Sequence, residues 1–174
     1  RKTKQLNKNK ALTFFRRNEK ETKEHNMIVD MERNDLSKIC KTGSVKIDKL
    51  KKVEEYRDLF HYVTTIKGVI KNKMSNHDII SSLMPGGSVI GCPKISTIQL
   101  LNRKEKFDRN IYTGSFGIIH SNGDMRFNIM IRTLLNFKND IELSVASGVI
   151  LGSTAKKEYN ENYIKAKSLL DLFN

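Results

Sequence analysis

Apolar residues recur along this chain at two spacings, and each spacing predicts its own kind of element. From about Ala11 to Met31, Leu12, Phe15, Met27, Ile28 and Met31 return near the helical period, and Asn34-Asp35 marks the end of that helix or the turn beyond it. Alternation then takes over. Val45, Ile47 and Lys49 predict a strand, and Tyr62 to Ile70, rich in β-branched residues, predicts a second with His61 at its head. Asn76 is positioned to cap a short helix through Leu83, and Ile95 to Leu101 reads as another, opened at Pro93. Tyr112 to His120 predicts a strand, Ser121-Asn122-Gly123-Asp124 a hairpin turn, and Met125 to Thr133 the returning strand. In that strand Met125, Phe127, Ile129 and Ile131 share one face, and Arg126, Asn128, Met130 and Arg132 the other. A final strand near Ile141 to Leu151 is interrupted at Ala146-Ser147-Gly148, and Ser153 or Thr154 caps a closing helix. On that helix Tyr159, Tyr163, Ala166, Leu170 and Phe173 form the stripe expected to be buried, with Glu158, Glu161 and Lys165 on another face. Antiparallel strand pairs with helices before, between and after them predict an α+β fold, antiparallel β-sheets with flanking helices, rather than a doubly wound parallel sheet.

The stretch Pro85-Gly86-Gly87-Ser88-Val89-Ile90-Gly91-Cys92-Pro93-Lys94 fits neither period. Three glycines allow left-handed backbone and close approach of N–H groups to a ligand, and the helix opened at Pro93 offers its N-terminus to an anion. Ser88 adds a hydroxyl that can bind carboxylate or phosphate. A Gly/Pro-rich stretch is also simply what a turn requires, so composition leaves both readings open.

At 174 residues and 38% hydrophobic, the chain can bury a core and has the size of one domain. The apolar runs are too short for a transmembrane helix or a signal peptide, which makes the cytoplasm the expected compartment and a membrane no partner. Cys40 and Cys92 stand far apart without a nearby third or fourth cysteine, the pattern of free thiols. The net charge of +13 points toward nucleic acid until its distribution is considered: residues 1–23 hold nine Lys/Arg against Glu19 and Glu21, net +7. A basic leader without an interleaved aromatic platform is a poor nucleic-acid signature, and a non-catalytic basic module remains only as the alternative of a different class.

Two predicted helices, one at each end, carry Glu21-x-x-Glu24 and Glu158-x-x-Glu161, each placing two carboxylates on one face. If the helices approach, a divalent cation between them relieves the repulsion, and hard oxygen donors suit magnesium. If they do not, these are solvated surface charges. His61 and Arg132 likewise have both a structural and a functional reading.

Glu24-His25 with Met27-Ile28-Val29-Asp30 and Arg33-Asn34-Asp35-Leu36, then His61-Tyr62-Val63-Thr64, Pro85-Gly86-Gly87-Ser88, Gly91-Cys92-Pro93-Lys94, Ile131-Arg132-Thr133 and Glu158-Tyr159 resemble, in that order, the chorismate-utilising enzymes. These include the large subunits of anthranilate synthase and of aminodeoxychorismate (para-aminobenzoate) synthase, with isochorismate and salicylate synthases as relatives. Gly86-Gly87-Ser88 leans toward the para-aminobenzoate branch. The resemblance implies a chorismate pocket between two β-sheets, with Mg2+ held by Glu24 and Glu161 and supported by Glu21 and Glu158. Ser88 matches the hydroxyl on the ring carboxylate; Arg132 and the backbone N–H groups of Ala146, Ser147 and Gly148 match the groups on the enolpyruvyl carboxylate. Lys165 matches a further cation of the site and His61 the histidine beside the ring, a candidate acid/base or positioning group for loss of the C4 hydroxyl. The implied reaction is Mg-dependent amination of chorismate at C4 with glutamine-derived ammonia, toward para-aminobenzoate and folate; the alternative is anthranilate formation for tryptophan. Both imply a glutamine amidotransferase subunit or domain as partner, and chorismate rather than nucleic acid as ligand.

Several positions depart from the family pattern. Ile118 stands where a tyrosine is expected, Arg126 and Gly152 where acids are, and Ala146-Ser147 where glycines are. A left-handed φ at Ser147 would cost roughly 1 kcal/mol or more. The resemblance also places the aminodeoxychorismate branch's Pro-Ile-Lys-Gly-Thr segment, with its attacking lysine, just before Arg1. Residues 1–174 are thus expected to be the C-terminal portion of a chorismate-binding domain whose N-terminal half is absent, and to be inactive alone.

Overall fold

Asn18 divides what the apolar period reads as one long helix into two. Its own N–H donates to the Phe14 carbonyl at 3.0 Å, closing α1 (Lys8–Arg17), while its side chain accepts the Glu21 N–H at 3.2 Å, opening α2 (Glu19–Ile39). The fold is that of a computed structural model describing residues 7–173 apart from 57–59, 139 and the side chain of 168. The first six residues of the basic leader therefore lie outside the described residues. Two compact units divide the chain, the first ending at Ser88 and the second beginning at Val89.

In the first unit α2 runs past Asn34-Asp35, where the sequence predicts its end. Asp35 is buried with Lys38 Nζ at 2.7 Å from its carboxylate, so it sits in the helix as a paired residue instead of a breaker. The nearest glycine or proline is Gly43. Beyond it β1 (Lys46–Glu55) pairs antiparallel with β2 (Phe60–Lys67), from Lys46 opposite Lys67 to Glu55 opposite Phe60. The register slips between Ile47 and Lys52, where Lys51 takes a left-handed φ of 49°. α1 and α2 pack on this ribbon, and Ala11, Val53 and Phe60 form its buried centre with Leu12, Phe15 and Tyr62 around them. Each large side chain buried there contributes about 1.5–3 kcal/mol.

Ser75, one residue before the expected Asn76, caps α3 (Asn76–Leu83). Its hydroxyl accepts the Asp78 N–H while the Asp78 carboxylate accepts the Ser75 N–H, both at 3.1 Å. Then α4 (Gly87–Ile90) forms a single turn in which Gly87 is buried against α2. A Cβ at Gly87 would lie 3.2 Å from Met31 Cβ, which explains the glycine by close approach rather than by φ. Of the three glycines in this stretch, only Gly91 is left-handed, at φ 121°.

The second unit begins with α5 (Lys94–Lys104), whose N-cap is Pro93. Tyr112 lies in a turn and Thr113 at φ 64°, so β3 spans only Ser115–Ile119, shorter than the predicted strand. The expected hairpin turn with Gly123 at φ 88° leads to β4 (Met125–Ile129). The predicted continuation to Thr133 does not form, because Arg132 turns the chain at φ 50°. A second antiparallel hairpin follows, β5 (Leu134–Phe137) with β6 (Asp140–Leu143), in place of the long final strand. The described residues thus show three two-stranded antiparallel sheets with flanking helices, an α+β arrangement. No helix among them is long and apolar enough to cross a membrane.

The last element, α6 (Ala155–Leu170), overturns the expected buried stripe. Tyr159 and Tyr163 are 76% and 63% exposed, Leu170 and Phe173 are exposed, and only Ala166 is buried. Glu158 is buried instead, with Glu161, Asn162, Lys165 and Leu169 partly so. The covered face is the one that meets the 146–148 turn. Thr154 caps the helix without a side-chain hydrogen bond, while Ser153 Oγ accepts the Ile150 N–H.

Candidate substrate and metal site

The turn after β6 and the polar face of α6 are held together by side chains that the sequence places 11 to 19 residues apart. Lys165 Nζ donates to the Ala146 carbonyl at 3.2 Å and to Glu161 Oε1 at 2.8 Å. Ser147 Oγ lies 2.9 Å from the Glu158 carbonyl and 2.6 Å from Asn162 Oδ1. One hydroxyl carries one proton, so both contacts are satisfied when it goes to Glu158 and the Asn162 amide is turned to present its NH2. Five of the predicted residues, Ala146, Ser147, Glu158, Glu161 and Lys165, are therefore directly linked, with Gly148 next in the turn. Among the described residues of this unit, the left-handed ones are Asn110, Thr113, Arg132 and Lys138 beside three glycines, so Ser147 carries its Cβ without left-handed strain.

Arg132 is exposed at its bend, off the strand on which the alternation placed it. A non-glycine residue held there costs roughly 1–2 kcal/mol, which marks Arg132 as positioned against its own preference. The neighbouring support was not read from the sequence. Arg109 makes a double hydrogen bond to Glu105, at 2.8 and 2.6 Å, and reaches the Val89 carbonyl and Thr113 Oγ1 at 3.2 and 3.3 Å. Its guanidinium holds the Glu105 carboxyl below the usual carboxylate range. Arg109 also lies 6.0 Å from the centre of the Tyr112 ring. Burial pushes the Tyr112 phenol up, partly offset by the positive Arg109 and by the Ala146 backbone. Glu105 and Arg109 are four apart, the helical pairing distance, but lie at and beyond the end of α5, which hid them from a helix-based reading. Asn162 shares the face of Glu158 and Lys165 by spacing, a signal available in the sequence.

The first unit carries the other predicted residues. Glu21 and Glu24 lie one turn apart near the start of α2, Glu21 exposed and Glu24 partly buried. His61 is exposed on β2, opposite Glu54, with its ring 5.0 Å from that of Tyr56. Ser88 is half-buried in α4 beside the close contact at Gly87. Ile118, where a tyrosine is expected, points its side chain from β3 into an exposed position opposite Arg126.

Among the described residues no group of three or more His, Cys, Asp or Glu side chains stands ready to hold a metal. Magnesium ordinarily takes only one or two protein carboxylates, with substrate oxygens and waters completing its octahedron. Within each unit, the carboxylate pair Glu21 and Glu24 on α2 and the pair Glu158 and Glu161 on α6 are hard oxygens of the type that such an ion takes.

The sequence of residues 1–171 matches the chorismate binding enzyme family. The chain is 38% identical over 153 residues to an anthranilate synthase component I-like protein of Synechocystis, covering 88% of this chain and 32% of that one. It is also 38% identical over 149 residues to aminodeoxychorismate synthase component 1 of Bacillus subtilis, covering 86% and 32%. Among solved structures, anthranilate synthase component I from Streptococcus pneumoniae superposes with a TM-score of 0.78 at 35% identity, over 91% of this chain and 36% of that one. The chain spans about a third of the length of these relatives. It belongs to the chorismate-binding family of chorismate-utilising enzymes.

Proposed function

We propose that this chain supplies the carboxylate-binding and magnesium-binding part of an aminodeoxychorismate synthase component I. The observation that carries the reading is the linkage, within one unit, of the Ala146–Gly148 turn to Glu158, Glu161 and Lys165. Chorismate is a dianion, and its hydroxyl is a poor leaving group. A site that aminates it must fix two carboxylates and offset the charge that develops as the hydroxyl departs.

Arg132 and the backbone N–H groups of the turn bind the enolpyruvyl carboxylate, the guanidinium giving a fork that lysine lacks. Lys165 spends two of its three N–H donors on Ala146 and Glu161, leaving the third for substrate. Ser88 orients the ring carboxylate, and His61 donates the proton with which the C4 hydroxyl leaves as water. Glu24 and Glu161 would hold Mg2+, with Glu21 and Glu158 supporting them. When bound, the ion neutralises the ring carboxylate and developing negative charge. Ammonia is the second substrate, delivered by a glutamine amidotransferase subunit or domain.

Gly86-Gly87-Ser88 favours amination at C4. The equal identity to an anthranilate synthase-like relative supports one second reading, amination at C2 with loss of pyruvate. Product analysis of the full-length protein with chorismate, Mg2+ and ammonium separates the two. The expected product is 4-amino-4-deoxychorismate, which yields para-aminobenzoate only when a lyase is added. Anthranilate formed without a lyase would overturn the assignment to C4.

A further inference from the structure

The turn at Ala146–Gly148 is tied to α6 twice, and the two ties differ in what substrate does to them. Lys165 is a long flexible cation whose ammonium, in the reading above, must also meet a substrate carboxylate. Its third N–H is free for substrate, but the ammonium moves as one head, so drawing it toward a carboxylate pulls against its hold on Ala146 and Glu161. Ser147 has no such conflict. Its short, half-buried side chain reaches the backbone carbonyl of Glu158 and the side chain of Asn162, both uncharged partners on the same face of α6 as Glu161 and Lys165. Asn162, one turn after Glu158, has no role in the site as described other than this bond.

We propose that Ser147 is a positioning residue that, together with Asn162, clamps the Ala146–Gly148 turn onto α6, so that the turn stays aimed at a substrate carboxylate while Lys165 is drawn to substrate. The inference rests on the chorismate reading and adds a specific role for two side chains of this chain. It places the cost of losing the clamp on binding. An unclamped turn must be ordered each time substrate arrives, which weakens substrate affinity before it affects the chemical step.

The test uses the full-length protein with chorismate, ammonium and Mg2+, comparing Ser147→Ala, Asn162→Ala, the double variant and Ser147→Thr. Asn162→Ala is expected to raise the chorismate KM about tenfold, the scale of one lost hydrogen bond, and Ser147→Ala, which removes two, at least as much, with KM carrying most of the loss in kcat/KM. The double variant is expected to be no worse than Ser147→Ala alone, because that variant already removes both the Glu158 and the Asn162 contacts. Ser147→Thr, which keeps the hydroxyl, is expected to recover most of the affinity. Hydrogen exchange across residues 144–150 should quicken in both alanine variants. An unchanged KM in both, additive losses in the double variant, or a loss confined to kcat would overturn the proposal while leaving the chorismate reading intact. Wild-type protein that neither binds nor consumes chorismate would overturn the reading itself, and the clamp's stated purpose with it.

Discussion

Nε2 of His25 on α2 lies 2.7 Å from Oγ1 of Thr64 on β2, and the same hydroxyl oxygen accepts the Lys51 N–H at 3.0 Å. One residue thus stitches the helix to the bulge in β1. With its oxygen taken by Lys51, Thr64 has its proton for His25, and a neutral ring with Nε2 as acceptor completes the network. Burial first, and the positive Lys51 second, hold His25 below its ordinary value of 6.5. Between that lowered value and 6.5 the unfolded chain binds more protons than the folded one. His25 therefore contributes stability that is complete above 6.5 and lost as pH falls through the folded value. Thermal melts from about pH 5 to 7.5 should show the midpoint rising with pH, and His25→Gln should flatten that slope. Thr64→Val should destabilise at neutral pH by about 1–3 kcal/mol, since it strands two partly buried polar groups.

Gly87 is expected to be restricted by packing alone. An added Cβ would lie 3.2 Å from Met31 Cβ and 3.4 Å from its sulfur. Met31 can yield partly, so Gly87→Ala should cost about 1 kcal/mol, and Gly87→Val up to about 3, by urea unfolding. The neighbouring Ser88 would move with α4, and the chorismate KM should rise in the same order.

The Lys165 and Glu161 side chains, 24% and 44% exposed, form a pair of small stabilising value, about 0–1 kcal/mol. Glu161→Gln should leave the melting temperature nearly unchanged or slightly higher. Magnesium uptake by the full-length protein, followed by calorimetry with chorismate present, should weaken sharply, and metal-dependent turnover should be lost. Retained magnesium affinity would place Glu161 outside the metal site.

Arg132 combines an exposed cation with a left-handed φ of 50°. Arg132→Ala should weaken chorismate use by roughly 2–5 kcal/mol, measured as kcat/KM, and Arg132→Lys should not restore it. Arg132→Gly should show the same loss but melt higher than Arg132→Ala, because glycine occupies that backbone region freely. An Arg132→Gly variant less stable than Arg132→Ala would show that the bend is not strained.

Much of the element order could be read from local signals. The hairpin at Ser121–Asp124, the strands around Ile47 and Tyr62, and the short helix through Leu83 follow from turn residues and alternation that act over a few positions. The acidic pairs and the glycine-rich stretch were visible because their chemistry depends on residue type and close spacing. The misread boundaries share a cause. Asn18 as a double cap, Asp35 as a buried helical residue, and Thr113 and Arg132 in left-handed backbone each depend on partners or constraints outside a local window.

Helix α6 separates the two kinds of information most clearly. The 3.6-residue period, legible in the sequence alone, determined that Glu158, Glu161, Asn162 and Lys165 share one side and Tyr159, Tyr163 and Leu170 lie off it. Only the tertiary structure decided which side is covered. Hydrophobicity favours burying the tyrosines, but the Ala146–Gly148 turn presents a hydroxyl and a carbonyl, and these find their partners in Asn162, the Glu158 carbonyl and Lys165. Periodicity sorts residues onto faces; which face is buried depends on what the rest of the chain brings against it, and here that is a polar turn whose groups must be satisfied.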